Sequence, residues 1–426
     1  MKERVYIIDY DVLSPIGLNR DDLRENLYNN VKGESKVSNF ETDGIPFKIA
    51  AEIKKDLKFL YRNEEQFIKD VCISDRKFEL TIALANLVES RFKNIIGDCN
   101  PNRRGVVMGV GSDVIMFEQF EKEITSTVKD TTYQFNDLIM NLSSRIENMG
   151  LMNPYDIHAI YISEMFDLRA FQKSTLSACT SSTQAISIAF DSIRNGKADI
   201  VFAGGTDSII NTMALISFGK LGVIPESGPH DEKTCKPFDI GRKGTLAGES
   251  AGIAILASET FIKKSKIKPL AEIVSIGNTL DGYKITAPDP SGDSMEVAIS
   301  TALKNGKVLP GEIDYINAHG TGTKQNDGVE LAVINRVFGD YGKEVPISST
   351  KDRHGHAIAA AGIQELAVLL TGMKNDFIPS NMNLVNPIDD SFNLVRENSR
   401  KKIKYALSNN FAFGGVNTVF ILKNIE

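Results

Sequence analysis

Cys179 stands in the run Ser174-Thr-Leu-Ser-Ala-Cys179-Thr-Ser-Ser-Thr-Gln-Ala-Ile, where a β-prone stretch ends in a small-residue elbow and an apolar-periodic helix follows. A thiol at a helix N-terminus feels the positive end of the helix dipole and unpaired backbone N–H groups, and both favour the thiolate. Ala178, Thr180, Ser181 and Ser182 leave room for a substrate to reach the sulfur. A lone buried cysteine is more often plain core, but two histidine motifs tip the balance towards a nucleophile. The first is Ile316-Asn-Ala-His319-Gly320-Thr321-Gly322-Thr323, closing with Asp327 and Glu330. It holds a histidine at a strand end, in a tight turn within reach of a ligand. The second is Ser348-Ser-Thr-Lys351-Asp-Arg-His354-Gly355-His356. Three of the chain's five histidines therefore fall in two glycine-containing elbows. His354 and His356 form a His-X-His pair, but no third ligand with convincing spacing accompanies them, so no metal site is expected. A fourth run, Ser408-Asn-Asn-Phe411-Ala412-Phe413-Gly414-Gly415-Val-Asn417, carries two aromatics in a Gly-rich turn. They can pack in a core or form a mobile wall over a pocket, and the glycines let backbone N–H groups approach a substrate.

These residues need elements to position them, and the chain supplies strands and helices in alternation, the pattern of an α/β fold. Val5–Ile8, Gly105–Gly109, Ile200–Ala203 and Gly252–Ala257 read as buried strands. Ala185–Arg194 has helical periodicity and stops at Asn195-Gly196. The order of elements runs through twice. Arg104–Gly109 leads into Gly111-Ser112 as Ile313–Ala318 leads into His319-Gly320. The strand-elbow-helix around Cys179 has its counterpart at Pro346–Lys351, followed by His356 and an apolar helix. Ile253–Leu256 ends the first half and Thr418–Leu422 the second. No short period appears, so this is a duplicated domain and not a solenoid. A pseudo-twofold pairing would bring Cys179 and His356 to one pocket. Residues 19–80 and 113–150 look like caps or interface elements on that core.

Composition narrows the class. The chain has 426 residues, a net charge of −6 and 42% hydrophobic residues, enough for a large core. That acidity argues against nucleic acid as the main partner but leaves room for a local basic patch. Cys72, Cys99, Cys179 and Cys235 form no CxxC pair, so no disulfide scaffold is expected. No apolar run approaches the roughly 18 residues that span a membrane, and no signal-peptide pattern precedes the first strand. A cytoplasmic protein is expected.

Taken together, the four motifs resemble the β-ketoacyl-[acyl-carrier-protein] synthases, condensing enzymes of the thiolase superfamily. The resemblance runs from Ser14-Pro-Ile-Gly17 to the C-terminal strand, through Lys236-Pro-Phe-Asp239-Ile-Gly-Arg242-Lys-Gly244 and Gly248-Glu249-Ser-Ala-Gly252. It implies a duplicated α/β/α/β/α layered core, with residues 1–258 bearing the nucleophile and 259–426 the histidine motifs and gating loop. It implies that Cys179 accepts an acyl group as a thioester from a phosphopantetheine arm. That arm is carried by a partner acyl carrier protein, so the chain needs no cofactor of its own. His319 and His356 would stabilise the enolate formed as a malonyl extender loses carbon dioxide. Lys351 would organise the site beside them, with Glu365 and Glu330 as acidic partners. The N–H groups of Cys179 and Phe411 would form the oxyanion hole. Phe411 would gate the pocket, with Phe413 in the same loop, and Thr321 and Thr323 would hydrogen-bond the pantetheine arm. A homodimer, or a heterodimer with a related subunit, is implied, and Lys220 lies in a plausible region for an acidic carrier. The chemistry agrees: a thiolate is both a good acyl acceptor and a good leaving group.

Four features depart from the family pattern. Ala412 replaces a usual glycine between the aromatics. Ser112-Asp113 puts polarity in a turn that in relatives lines the acyl pocket. The segment 113–150 looks long, and Asp352-Arg353 adds charge that could alter access. These favour, slightly, a specialised polyketide or polyene pathway over routine fatty-acid elongation. A subunit active only with a chain-length-setting partner, or one that loads acyl groups without extension, is the alternative.

Overall fold

The computed structural model describes residues 2–61, 76–112, 155–228 and 234–425, with two short backbone pairs at Val128–Lys129 and Thr132–Tyr133. Its frame is one twelve-stranded sheet. The strands that matter here are β1 (Val5–Leu13), β2 (Arg104–Val110), β3 (Phe171–Thr175), β4 (Ile200–Ser208) and β5 (Ala247–Ser258). They are followed by β6 (Ala271–Leu280), β7 (Tyr315–Asn317), β8 (Ile347–Ser348), β9 (Tyr405–Phe411) and β10 (Val416–Asn424). Across the sheet they lie in the order β8-β7-β9-β10-β6-β1-β5-β4-β2-β3.

That order is its own mirror. β2 pairs in parallel with β3 and β4, while β4–β5 and β5–β1 are antiparallel. β7 pairs in parallel with β8 and β9, while β9–β10 and β10–β6 are antiparallel. The two halves meet where β1 and β6 pair, from Val5↔Ile273 to Ile7↔Ala271. The duplication expected from the order of elements is thus a structural pseudo-twofold.

The helices are α1 (Arg76–Ile96), α2 (Ile157–Phe166), α3 (Ser181–Arg194), α4 (Asp293–Gly306), α5 (Lys324–Phe338) and α6 (Ala361–Asn375). Strand residues assign them to layers through their period of two. In β4, Val201 and Ala203 join a central core with Ala185 and Ile186 of α3 and Ile363 and Leu366 of α6. Ile200 and Phe202 face the other way, onto Val88 and Phe92 of α1 and Phe166 of α2. In β10, Phe420 and Leu422 enter the central core, while Val419 and Ile421 pack with Ile299 of α4 and Ile334 of α5. Both faces of these strands are covered, which is why they read as unbroken apolar runs and not as alternation. The result is a helix–sheet–helix–sheet–helix sandwich with α3 and α6 side by side in the middle.

Of the charged segment 19–80, residues 62–75 lie outside the described residues, as does the segment 113–150 apart from the two backbone pairs. Among the described residues, no helix is long and apolar enough to cross a membrane.

Candidate active site

α3 and α6 begin at equivalent places in the two halves, each behind a single 3-10 turn: Ala178–Thr180 before α3 and Ile358–Ala360 before α6. The first residue of each turn lies in left-handed backbone space, Ala178 at φ 47° and Ile358 at φ 34°. For a β-branched residue that conformation is strained and must be held by its surroundings. Residues of both elbows line one shared cavity. Cys179 reaches it from the first elbow, and His356, just before the second turn, from the other side. Counting its open mouth, the cavity has about 650 Å³ of empty space, and it is lined by Cys179, His319, His356, Ile358, Phe411 and Phe413 among others.

His356 Nε2 lies 3.1 Å from Cys179 Sγ. The His319 and His356 rings meet edge to face with centroids 5.4 Å apart. A sulfur and two ring nitrogens, one from each of the three residues, all lie within 4.8 Å of one another. His319 is carried on the turn after β7. Glu330 of α5 fixes that turn, accepting the backbone N–H of His319 at 2.8 Å and of Gly320 at 2.9 Å. Asp327 does the same for Gly322 at 3.2 Å. Lys351 Nζ donates to the His319 carbonyl and pairs with Glu365, both side chains fully buried. Thr321 and Thr323 line the cavity and share a 2.9 Å hydroxyl–hydroxyl contact.

Burial sets the protonation of the site. It pushes the Cys179 thiol up to about 12, against the pull of the Lys351 charge and the Phe413 amide. It also holds His319 and His356 well below the usual histidine range, with the Lys351 charge adding to the effect. The thiolate expected from the helix N-terminus is therefore not the resting form. Desolvation outweighs the dipole, and a neutral thiol faces a neutral imidazole.

Several positions depart from the sequence-based expectations. The amide that reaches the sulfur belongs to Phe413, not to Phe411. Phe411 ends β9 and meets the His319 ring edge to face, 6.1 Å between centroids. His354, unlike His319 and His356, is absent from the cavity lining. Its two ring nitrogens bond Thr350 Oγ1 and the Gly355 carbonyl, each at 2.8 Å, inside the fold. Asp352 and Arg353 do not alter access to the site, because both are fully buried. Asp352 accepts the Asn383 N–H at 3.0 Å, and Arg353 binds the Leu27 carbonyl at 2.8 Å. Ser112 is exposed and absent from the cavity lining, and its carbonyl accepts from Lys77 Nζ at 3.2 Å. Asp113 lies outside the described residues. Lys220 is exposed at the end of a helix whose Phe218 lines the cavity.

Two further residues complete the site. Asn410 donates to Glu365 Oε2 at 2.6 Å and accepts from Thr183 Oγ1 on α3. The Lys351–Glu365 pair is thereby tied to the helix that carries the nucleophile. No local pattern marks Asn410 or Thr183, since their partners lie far away in sequence.

The β-ketoacyl synthase N-terminal domain model matches residues 2–261 and the C-terminal domain model residues 270–385. 3-oxoacyl-[acyl-carrier-protein] synthase 2 of Coxiella burnetii is 28% identical over 436 aligned residues, covering all of this chain and 99% of that protein. Nodulation protein E of Rhizobium meliloti is 36% identical over 272 residues, 63% of this chain and 65% of its own. A type II polyketide ketosynthase, solved with its acyl-carrier protein and bound to a hexaketide, superposes with a TM-score of 0.84 at 23% identity, each chain fully covered. That likeness establishes the thiolase-like fold. Fold and site define an acyl-transferring condensing enzyme. The chain belongs to the β-ketoacyl synthase family.

Proposed function

We propose that Cys179 takes an acyl group from a carrier-protein thioester and that the bound acyl group is then extended by two carbons from malonyl-carrier protein. In the first half, the thiol proton leaves towards His356 Nε2 as sulfur attacks the thioester carbonyl. The carbonyl oxygen, briefly an oxyanion, is held by the N–H groups of Cys179 and Phe413. The tetrahedral intermediate collapses to acyl-Cys179, and the pantetheine thiol departs with the proton. In the second half, malonyl thioester loses carbon dioxide, and the enolate oxygen is stabilised by N–H donors on His319 and His356. The enolate carbon attacks acyl-Cys179, the C–S bond breaks, and the leaving thiolate takes up a proton from solvent, one proton being consumed for each carbon dioxide released.

One observation carries this reading: an imidazole nitrogen and the Phe413 amide converge on one buried sulfur, with a second imidazole alongside. Lys351 and Glu365 act by positioning His319. Thr321 and Thr323 hold the pantetheine arm of the carrier, so the chain itself brings no cofactor. The ketosynthase of similar fold that is seen with its acyl-carrier protein supports a carrier partner. β3, half-exposed and paired only with β2 among the described residues, supports a dimer through the nucleophile-bearing half.

The finer reading, a specialised polyketide or polyene pathway, now rests on Ala412, which lines the cavity between the two aromatics. A methyl there stiffens a loop that glycine would free. The test is a panel of acyl-carrier-protein thioesters ranging from short saturated to polyene and poly-β-keto chains, with malonyl-carrier protein as extender. Faster extension of unsaturated or keto-bearing chains supports the specialised pathway; a preference for saturated chains assigns fatty-acid elongation. Loading without extension by this chain alone, restored by a related subunit, would assign it to an obligate heterodimer.

A further inference from the structure

Cys179, His319 and His356 come from three separate loops, yet each offers a ligand atom and all three atoms lie within 4.8 Å of one another. Thiolate and imidazole are the donors that zinc and its neighbours prefer. Three protein ligands with one position left open is the pattern of accessible zinc sites. Two other features favour a cation here. The Nδ1 atoms of both histidines are buried and without a hydrogen-bond partner, so neither ring is committed to a protein donor on that side. The neighbouring Lys351 ammonium is charge-balanced by Glu365, against which it is packed. The cavity has an open mouth and is lined in part by Thr321 and Thr323, so an ion can enter it.

We propose that Cys179 Sγ and one ring nitrogen each from His319 and His356 form a reversible binding site for a soft divalent cation such as Zn²⁺, and that occupancy blocks acylation of Cys179. Binding replaces the S–H bond with a metal–sulfur bond and releases one proton to solvent. No oxidant or reductant is involved. A fourth ligand, water or a buffer anion, fills the position facing the cavity. The blocking half rests on Cys179 being the acylated residue; the binding half does not.

The test uses the full-length protein, freed of metal with a chelator and titrated with Co²⁺. A single equivalent should give the sulfur-to-cobalt charge-transfer band together with the visible bands of a tetrahedral ion, and Zn²⁺ should displace it. Cys179→Ser and Cys179→Ala should abolish the charge-transfer band, whereas Cys235→Ser should keep it. His319→Ala or His356→Ala should weaken binding by at least about tenfold, since losing a ligand costs no less than losing its supporting partner. Prior alkylation of Cys179 with iodoacetamide should prevent binding, and Zn²⁺ should slow acyl loading until chelator restores it. A band that survives in both Cys179 variants, or no band at saturating Co²⁺, would overturn the site. Binding intact but loading unaffected by Zn²⁺ would overturn the blocking role. Should loading fail with every acyl donor, the cobalt titration and the alkylation still decide the binding half, so failure of the functional reading is separately visible.

Discussion

Cys179 holds its proton at rest because burial outweighs both the Lys351 charge and the Phe413 amide. Loading must begin by moving that proton, and His356 Nε2 is in hydrogen-bond contact with the sulfur. Cys179→Ala should abolish loading while leaving the fold intact, read by intact-protein mass and circular dichroism. His356→Ala should cost more at decarboxylation than at loading. The helix dipole and the Phe413 amide still assist sulfur attack in that variant, but the enolate loses a donor, worth roughly a hundredfold or more in rate. Carbon dioxide release from malonyl-carrier protein and acyl transfer to Cys179, measured separately, check this. Lys351→Ala has a different signature. It strands the Glu365 carboxylate in the interior, and breaking one side of a buried pair costs about 3–5 kcal/mol. A lowered urea midpoint should therefore accompany the loss of activity.

At the scale of elements, the site depends on α3 and α6 starting close together. An ideal Cβ at Gly362, the second residue of α6, would stand 2.0 Å from Thr183 Oγ1 and 2.6 Å from Asn410 Oδ1. Gly362→Ala should push α6 away from the nucleophile helix, at a cost of about 1–3 kcal/mol for overpacking. Calorimetric unfolding and the condensation rate should fall together. Much of this level is legible in the sequence. Each elbow is local, marked by small residues, glycine and a following apolar period, so the Cys179, His319 and Lys351 motifs can be placed on strand ends and helix starts. Contacts between elements are not legible in the same way. The Asn410–Glu365 and Asn410–Thr183 bonds span distant segments, and nothing near Asn410 announces them. That the Phe413 amide, and not that of Phe411, faces the sulfur has a similar origin. Which of two aromatics presents its amide to the sulfur depends on where β9 ends, and strand ends are poorly marked in sequence. His354 and His356 lie two residues apart, but the turn at Gly355 sends their rings to different environments.

For the whole molecule, the pseudo-twofold explains why so much titratable chemistry is buried: the two elbows meet at the centre of the sandwich. Four of the five histidines, His158, His319, His354 and His356, are buried and held below the ordinary range, His158 and His354 to about 3. A lowered histidine contributes stability that is present above its unfolded value and lost as pH falls towards the folded one. Asp327 and Asp352, raised to about 6 by burial, act with the opposite sign and stabilise as pH falls. Between pH 7.5 and 6.0 His158 and His354 should each lose about 0.8 kcal/mol, with His319 and His356 acting in the same direction, and Asp327 and Asp352 should each return about 0.4. The histidines win, so the urea midpoint should drop across that interval, in the absence of metal. A midpoint that rises would mean that the carboxylates dominate.

The most direct measurement follows one peptide by mass. The protein is incubated with acyl-carrier protein, a portion is digested, and malonyl-carrier protein is added to the remainder. The expected result is an acyl adduct on the Cys179 peptide in the first portion. In the second, that adduct should disappear as a β-ketoacyl-carrier protein two carbons longer forms. An adduct on another residue, or extension that persists in Cys179→Ala, would contradict the assignment of this sulfur as the nucleophile.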